Sequence, residues 1–131
     1  MTPGARPNTA LRDLVRRRAG DRCEYCRITQ QADPFFQFHI EHIVPLQHGG
    51  PTEEGNLALA CHHCNLHKGP NLTGIDPSSS SIVPLFHPRT QTWDEHFEKR
   101  GSLVIGLTPT GRATVHVLAM NAPVRSQLRV P

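Results

Sequence analysis

The four cysteines of this chain form two identical pairs, Cys23/Cys26 and Cys61/Cys64, with two residues between the members of each pair. This spacing lets both sulfurs of a pair reach one ion from a tight turn, and thiolates hold zinc in a closed tetrahedron. We therefore expect one structural zinc that uses all four cysteines. Two disulfides, or one exposed and reactive thiol pair of a redox protein, are the alternatives. The paired spacing and the lack of a recognisable export signal favour the metal.

Residues of a different chemistry lie between and beside the cysteine pairs: the stretch His39-Ile40-Glu41-His42, then Asn56, then Asn65. Imidazole, carboxylate and amide oxygen suit a harder or borderline divalent ion with open coordination positions. A histidine can take a proton from water at near-neutral pH while such an ion stabilises a phosphate and its leaving oxygen. This combination predicts hydrolysis of a phosphodiester bond. His42 is the candidate general base, and Glu41 and Asn65 are the candidate oxygen ligands.

Neighbouring side chains have supporting roles in this hypothesis. Asn56 can hydrogen-bond the adjacent backbone or the imidazole and so hold the base in one orientation. His39 shares strand parity with Glu41, which makes it a candidate for a second metal ligand or a phosphate contact, although a polar histidine on a strand face is the simpler interpretation. His67 and Lys68 are candidates for contact with the scissile phosphate. Exposed helix positions are the default for the three histidines of this region, His62, His63 and His67.

The elements that must position these residues are predicted as strand, loop, strand and helix. They cover 35–44, 46–55, 56–60 and 61–68. Aromatic and β-branched residues favour the first strand, Pro45 is expected to end it, and Gly69 followed by Pro70 is typical of a helix end. Strand alternation would send Glu41 and His42 to opposite faces, so we expect a bend or bulge that aims both at one phosphate.

Flanking segments carry weaker signals. Apolar residues at helical spacing predict an amphipathic helix over 8–19, whose Arg16-Arg17-Arg18 run fits a solvated face as well as a phosphate contact. The segment 70–81 lacks an apolar period and is expected to be a surface connection. Short strands are predicted at 93–97 and 103–107 around a turn near 99–101, followed by a helix from Thr108-Pro109 and a helical piece from Asn121.

In their joint order and spacing, these motifs resemble the HNH endonuclease family in its zinc-containing form. The similar pieces are Cys23-Glu24-Tyr25-Cys26, Ile40-Glu41-His42-Ile43-Val44-Pro45-Leu46, Gly49-Gly50, Asn56-Leu57, and Cys61-His62-His63-Cys64-Asn65 with Lys68. The resemblance covers about 11–70 and implies a ββα-metal fold, hydrolytic cutting of nucleic acid and one catalytic divalent ion between strands and helix. By motif position it implies that His42 is the general base, that Asn56 braces it, and that Asn65 and Glu41 are metal ligands.

Two positions depart from the family pattern. Family members commonly carry Asp before the catalytic histidine, and Glu41 is one methylene longer. Asn65 occupies a position where the family has His or Asn, and its neutral oxygen favours Mg²⁺ or Mn²⁺ over softer ions.

Size and charge complete the expectation. The chain has 131 residues, with 14 Lys and Arg against 11 Asp and Glu, a net charge of +3 that favours an anionic partner. No apolar stretch approaches the roughly 20 residues that span a bilayer, so a cytoplasmic location is expected. We predict an α+β fold and a single HNH nuclease domain over 1–131: a core with a four-cysteine zinc site at about 11–70 preceded by a helix, a connection at 70–81 and a small α/β extension at 82–131. The expected substrate is nucleic acid, with DNA preferred. The main alternative is a non-catalytic zinc-binding adaptor for nucleic acid or protein, and the oligomeric state is left open.

Overall fold

A computed structural model describes residues 6–129, so the expected domain range of 1–131 extends beyond it at both ends. Within residues 6–129 the helices are α1 (Thr9–Ala19), α2 (His62–Lys68), α3 (Trp93–His96), α4 (Pro109–Val117) and α5 (Pro123–Ser126). The strands are β1 (His39–His42), β2 (Leu57–Ala60), β3 (Thr73–Ile75), β4 (Ile82–Pro84), β5 (Phe97–Arg100) and β6 (Leu103–Gly106). The architecture is the predicted mixture of small antiparallel sheets and helices. None of the helices in this described range combines the length and apolarity that a bilayer crossing requires.

Helix α1 begins and ends where its capping residues indicate. The side chain of Asn8 accepts a hydrogen bond from the backbone N–H of Leu11, and Gly20 ends the helix in the left-handed conformation. Two arginines of the basic run tie this helix to the strand region: Arg16 donates to the carbonyl of Phe38 at 2.8 Å, and Arg18 donates to that of Leu57 at 2.7 Å. The helix is therefore fixed against both strands that carry the candidate site.

Strands β1 and β2 pair antiparallel in one continuous register, from His39 opposite Ala60 to His42 opposite Leu57. Of the predicted bend or bulge at Glu41 and His42, the bulge is therefore wrong, whereas the pairing register does not test a bend. Ordinary alternation holds, and it buries Glu41 while leaving His42 half-buried.

The predicted first strand, 35–44, is too long, since β1 covers only four residues. Ahead of β1, the side chain of Gln30 donates to the carbonyl of Phe36 and accepts from the N–H of Phe38. A side chain thus takes the hydrogen bonds that a strand partner would otherwise make. Phe35 remains 88% exposed.

Helix α2 confirms its prediction. Cys61 stands at the N-cap, where its sulfur accepts from the N–H of Cys64, and Gly69 caps the other end. The helix packs against β1 and β2, which completes the ββα core.

The segment 70–81 is more structured than predicted, because β3 within it pairs with β4. The turn between these strands contains Asp76, whose carboxylate is fully buried. Arg112 of α4 donates two hydrogen bonds of 2.9 Å to this carboxylate. At Gly74, an added Cβ would lie 2.7 Å from the side chain of Val117. The segment is therefore packed on α4. The sequence did not predict this packing, because it depends on one buried ion pair and one glycine and not on a periodic apolar pattern.

The strand prediction at 93–97 is wrong over most of its length. The four residues of α3 form a helical turn, and β5 begins only at Phe97. Trp93 is buried, and its indole N–H donates to the carbonyl of Tyr25 at 2.8 Å. Strand β5 pairs with β6 as predicted, with Gly101 at φ 62° in the turn between them. The predicted helices α4 and α5 are present, and the main hydrophobic cluster joins residues of both halves, among them Tyr25, Phe86 and Leu118.

Candidate functional site

The four cysteines converge on one buried point. Cys23 and Cys26 lie in the turn after α1, whereas Cys61 and Cys64 belong to the first turn of α2. All four sulfurs lie within 4.8 Å of one another, and the Cys26 and Cys61 sulfurs are 3.7 Å apart. A tetrahedron with Zn–S bonds of about 2.3 Å has edges of about 3.8 Å. The donor set and its spacing fit a structural zinc.

The four thiols are close enough to share their protons. Hydrogen bonds from Cys23, Cys26 and Cys64 lower the pKa of the Cys61 thiol, whereas burial raises the pKa of Cys23 and hydrogen bonds raise that of Cys64. All four are free cysteines and all are buried, which argues against the disulfide alternative and against an exposed redox pair.

His42 ends β1 with its ring half-buried. Its Nε2 lies 2.9 Å from the hydroxyl oxygen of Thr52, a buried residue of the loop between the two strands. Burial lowers the pKa of His42 below its ordinary value. The imidazole is therefore neutral at pH 7, the form that can accept a proton.

Asn56 clamps the backbone next to His42 and does not contact the ring. Its side-chain oxygen accepts from the N–H of Val44 at 2.9 Å, and its nitrogen donates to the carbonyls of Val44 and Pro51 at 3.0 and 2.9 Å. Glycine is required at Gly50, because a Cβ there would lie 1.7 Å from the Val44 carbonyl oxygen. The clamp thus fixes the strand end from which His42 projects.

Glu41 enters a buried polar network. The Tyr25 hydroxyl donates to its Oε1 at 2.7 Å, and the Lys68 ammonium lies 3.4 Å from its Oε2 and donates to the carbonyl of Ile43 at 2.9 Å. Burial raises the pKa of Glu41 to about 7, although Lys68 acts in the opposite direction. Lys68 is 2% exposed, so its ammonium is buried beside Glu41 and does not face solvent. The sequence instead suggested that Lys68 contacts the scissile phosphate.

One open cavity of about 450 Å³ brings the candidate catalytic residues together. Its lining includes His39, Glu41, His42 and Asn65. Asn65 enters from α2 and the others from β1, so the cavity lies at the junction of strand and helix. The Oε2 atom of Glu41 is buried, and its neighbour among the described residues is the Lys68 ammonium at 3.4 Å. Carboxylate and amide oxygens are the donor types that suit Mg²⁺ or Mn²⁺.

The remaining histidines are more enclosed than exposed helix positions would be. His39 Nε2 lies 3.0 Å from His62 Nδ1, and burial lowers the pKa of His39. His63 donates to the carbonyl of Ala119 at 3.0 Å and thereby joins α2 to the C-terminal extension. His67 packs edge-on against His63, with ring centroids 4.1 Å apart. The expectation that His62, His63 and His67 are exposed helix residues is therefore wrong, because all three are half-buried.

Sequence reasoning missed two members of this site, Thr52 and Tyr25. Thr52 lies in a polar loop, where a threonine next to a glycine and a proline carries no catalytic signal. Tyr25 lies between two cysteines, so its position draws attention to the metal site and away from Glu41. A search for hydroxyl residues near the predicted base would have found Thr52 only with the loop conformation known.

Comparison with known families gives one match. Residues 23–71 match the family model described as HNH endonuclease. The comparisons with curated proteins and with solved structures gave no match for the chain. The matched segment contains the four cysteines and the candidate catalytic residues, whereas α1, most of the connection at 70–81 and all of the extension at 82–131 lie outside it. Residues 23–71 are therefore similar to the HNH endonuclease domain, and they contain a four-cysteine cluster that fits a structural zinc.

Proposed function

We propose that this chain is a metal-dependent endonuclease that hydrolyses phosphodiester bonds in nucleic acid, with DNA as the substrate. The observation that carries the proposal is the single cavity lined by Glu41, His42 and Asn65 within the segment that matches the HNH family. A zinc adaptor has no need of a neutral histidine, a carboxylate and an amide around one open cavity.

His42 is the general base of this proposal. With Thr52 Oγ1 accepting from Nε2–H, the lone pair of Nδ1 is left to take the proton of the attacking water. The lowered pKa keeps the ring neutral at pH 7. Asn56 and Thr52 act as positioning residues, the first through the backbone of Val44 and the second through the imidazole itself.

Asn65 and Glu41 would hold the catalytic Mg²⁺ or Mn²⁺, with His39 as the further candidate. When bound, such an ion supplies Lewis-acid stabilisation of the phosphate and of the leaving oxygen. The carboxylate of Glu41 already contacts the Tyr25 hydroxyl and the Lys68 ammonium, whereas Asn65 lines the cavity from helix α2. Asn65 is therefore the better supported ligand.

The four cysteines would hold zinc that does not react. Zinc there joins the turn after α1 to the first turn of α2, where Cys64 directly precedes Asn65. Since a site of this kind contributes folding free energy, its role is to fix the helix that carries the catalytic ligand.

Nicking of supercoiled plasmid by the zinc-loaded protein tests this proposal. Relaxed plasmid should form only when Mn²⁺ or Mg²⁺ is added, and Asn65→Ala should raise the Mn²⁺ concentration needed for half-maximal cutting at unchanged zinc content. Asn71→Ala, at an exposed asparagine after α2, is the matched control. A zinc-loaded protein that binds nucleic acid but cuts with neither ion would instead support the adaptor function.

A further inference from the structure

Two large aromatic side chains stand on the surface beside the candidate site. Phe35 is 88% exposed and Phe36 is 57% exposed, and the Gln30 side chain holds the backbone that presents them. The Phe36 ring stacks on His62, with centroids 4.5 Å apart and planes inclined by 23°. His62 in turn contacts His39. Phe36, His62 and His39 thus link the loop before β1 to the cavity of His42. These three rings, together with the more exposed Phe35 that directly precedes Phe36 in the chain, are called the aromatic strip.

A basic wall borders the same region. A second open cavity, of about 640 Å³, shares His39 and His42 with the first and is also lined by Arg12 and Arg16 of α1. The hydrogen bond from Arg16 to the Phe38 carbonyl holds one guanidinium at this position. Asp13 lines the cavity as well, so the wall carries one acidic group beside its arginines. Arg12 and Arg16 together are called the arginine wall below.

We propose that the aromatic strip and the arginine wall bind one unpaired nucleic-acid strand and guide it to His42. This rests on the proposed function and narrows its substrate to nucleic acid with unpaired bases beside the cut, as in a single strand, a flap, a gap or the strand-separated stretches that supercoiling opens in a plasmid. Exposed rings stack on bases of any sequence, and arginines contact the phosphates that link them. In an intact duplex the base faces are already stacked on one another, so Phe35 could not reach them without opening the helix.

An interface between two copies of the chain is the other occupant that exposed phenylalanines could have. Charge argues against it, because the strip adjoins the arginine wall and the chain carries a net charge of +3. Two copies joined there would bring like charges together, whereas a strand of phosphates neutralises them.

The test measures the affinity of full-length, zinc-loaded protein carrying His42→Ala for a labelled single-stranded DNA of about 20 nucleotides and for the blunt duplex of the same sequence. The single strand should bind more tightly. Phe35→Ala should weaken single-strand binding roughly 5- to 100-fold, the usual range for losing one stacking ring. Phe35→Leu, which keeps an apolar side chain without the ring, should lose nearly as much, and Phe35→Trp should bind like the parent. Ile82→Ala, at a side chain 74% exposed in the extension, is the control for simple loss of apolar surface.

Single-strand binding that is unchanged in both Phe35→Ala and Phe35→Leu would overturn the inference. So would Phe35 variants that convert a dimer into a monomer in sedimentation, which would assign the strip to an interface between copies. The same substitutions with His42 intact separate this inference from the proposed function. If the Phe35 variants still cut plasmid and their single-strand binding is unaltered, the inference about the aromatic strip is refuted and the proposed nuclease function is not. A zinc-loaded wild-type protein that cuts neither plasmid nor single strand would refute the proposed nuclease function.

Discussion

Replacing Lys68 by methionine tests whether its ammonium is buried with Glu41. The side chain is 2% exposed, it lies 3.4 Å from the carboxylate of Glu41, itself 7% exposed, and it donates to the carbonyl of Ile43. Lys68→Met keeps an unbranched apolar side chain of similar length but removes both interactions. The carboxyl of Glu41 is then left buried without its cation.

The expected cost follows from this burial. Removing one partner of a buried ion pair costs about 3–5 kcal/mol. A chain of 131 residues has an unfolding entropy of roughly 0.3 kcal/mol/K, so the melting temperature should fall by roughly 11–18 °C.

The loss should depend on pH with a defined sign. Burial raises the pKa of Glu41 from 4.5 to about 7, so this group contributes stability that is fully present below pH 4.5 and is lost as pH rises towards 7. Without Lys68 the pKa of Glu41 rises further, and the carboxyl stays protonated at pH values where the wild type is ionised. Lys68→Met should therefore lose more stability relative to wild type at pH 8 than at pH 6.

Thermal unfolding at pH 6 and pH 8, with zinc content matched, measures this effect. Lys99→Met is the control, since Lys99 is exposed on β5 and the interactions of an exposed lysine are worth at most about 1 kcal/mol. The double variant Glu41→Gln with Lys68→Met should recover part of the loss. A Lys68→Met protein that melts within about 3 °C of the Lys99→Met protein at pH 8 would refute the buried pair and make Lys68 a candidate phosphate contact again.

The remaining predictions concern the base and the zinc. Thr52→Val should slow cutting roughly 3- to 10-fold, the scale of one neutral hydrogen bond, and Thr52→Ser should restore the rate; equal rates for all three proteins would remove Thr52 as a positioning residue. Cutting should rise with pH and level off by about pH 8, because burial holds the pKa of His42 below the ordinary histidine value and the carboxyl of the candidate ligand Glu41 has a pKa of about 7; a rate still rising steeply above pH 8 would identify another base. Cys61→Ser should lower both the zinc content and the melting temperature, and full zinc retention by that variant would show that the cluster is not the zinc site.

Local signals in the sequence predicted the parts of this fold that depend on local chemistry. The cysteine spacing predicted which sulfurs would converge, and Asn8 and Gly69 marked helix ends because their side-chain or backbone conformations act within one turn. The sequence did not predict those contacts of the site whose two partners lie far apart along the chain. Lys68 reaches Glu41 across 27 positions (68 − 41), and no periodicity indicates that pairing.

Two errors in the predicted elements have the same origin. The residues 35–38 have the composition of a strand, but the Gln30 side chain takes their hydrogen bonds. Trp93 has high strand propensity, yet its indole binds a carbonyl 68 residues away and starts a helical turn. One tertiary hydrogen bond at Trp93, and two from the Gln30 side chain at 35–38, outweigh a propensity of at most about 1 kcal/mol.

The rate of Mn²⁺-dependent plasmid nicking by His42→Ala, compared with wild type at equal zinc content, tests the central claim most directly. The half-buried ring contacts Thr52 and contributes little to the core, so the variant should fold, retain zinc and bind nucleic acid. Its rate should fall by about 10²-fold or more, the scale for loss of a general base. A purified, zinc-loaded His42→Ala protein that nicks plasmid at the wild-type rate would contradict the assignment of this cavity as the active site.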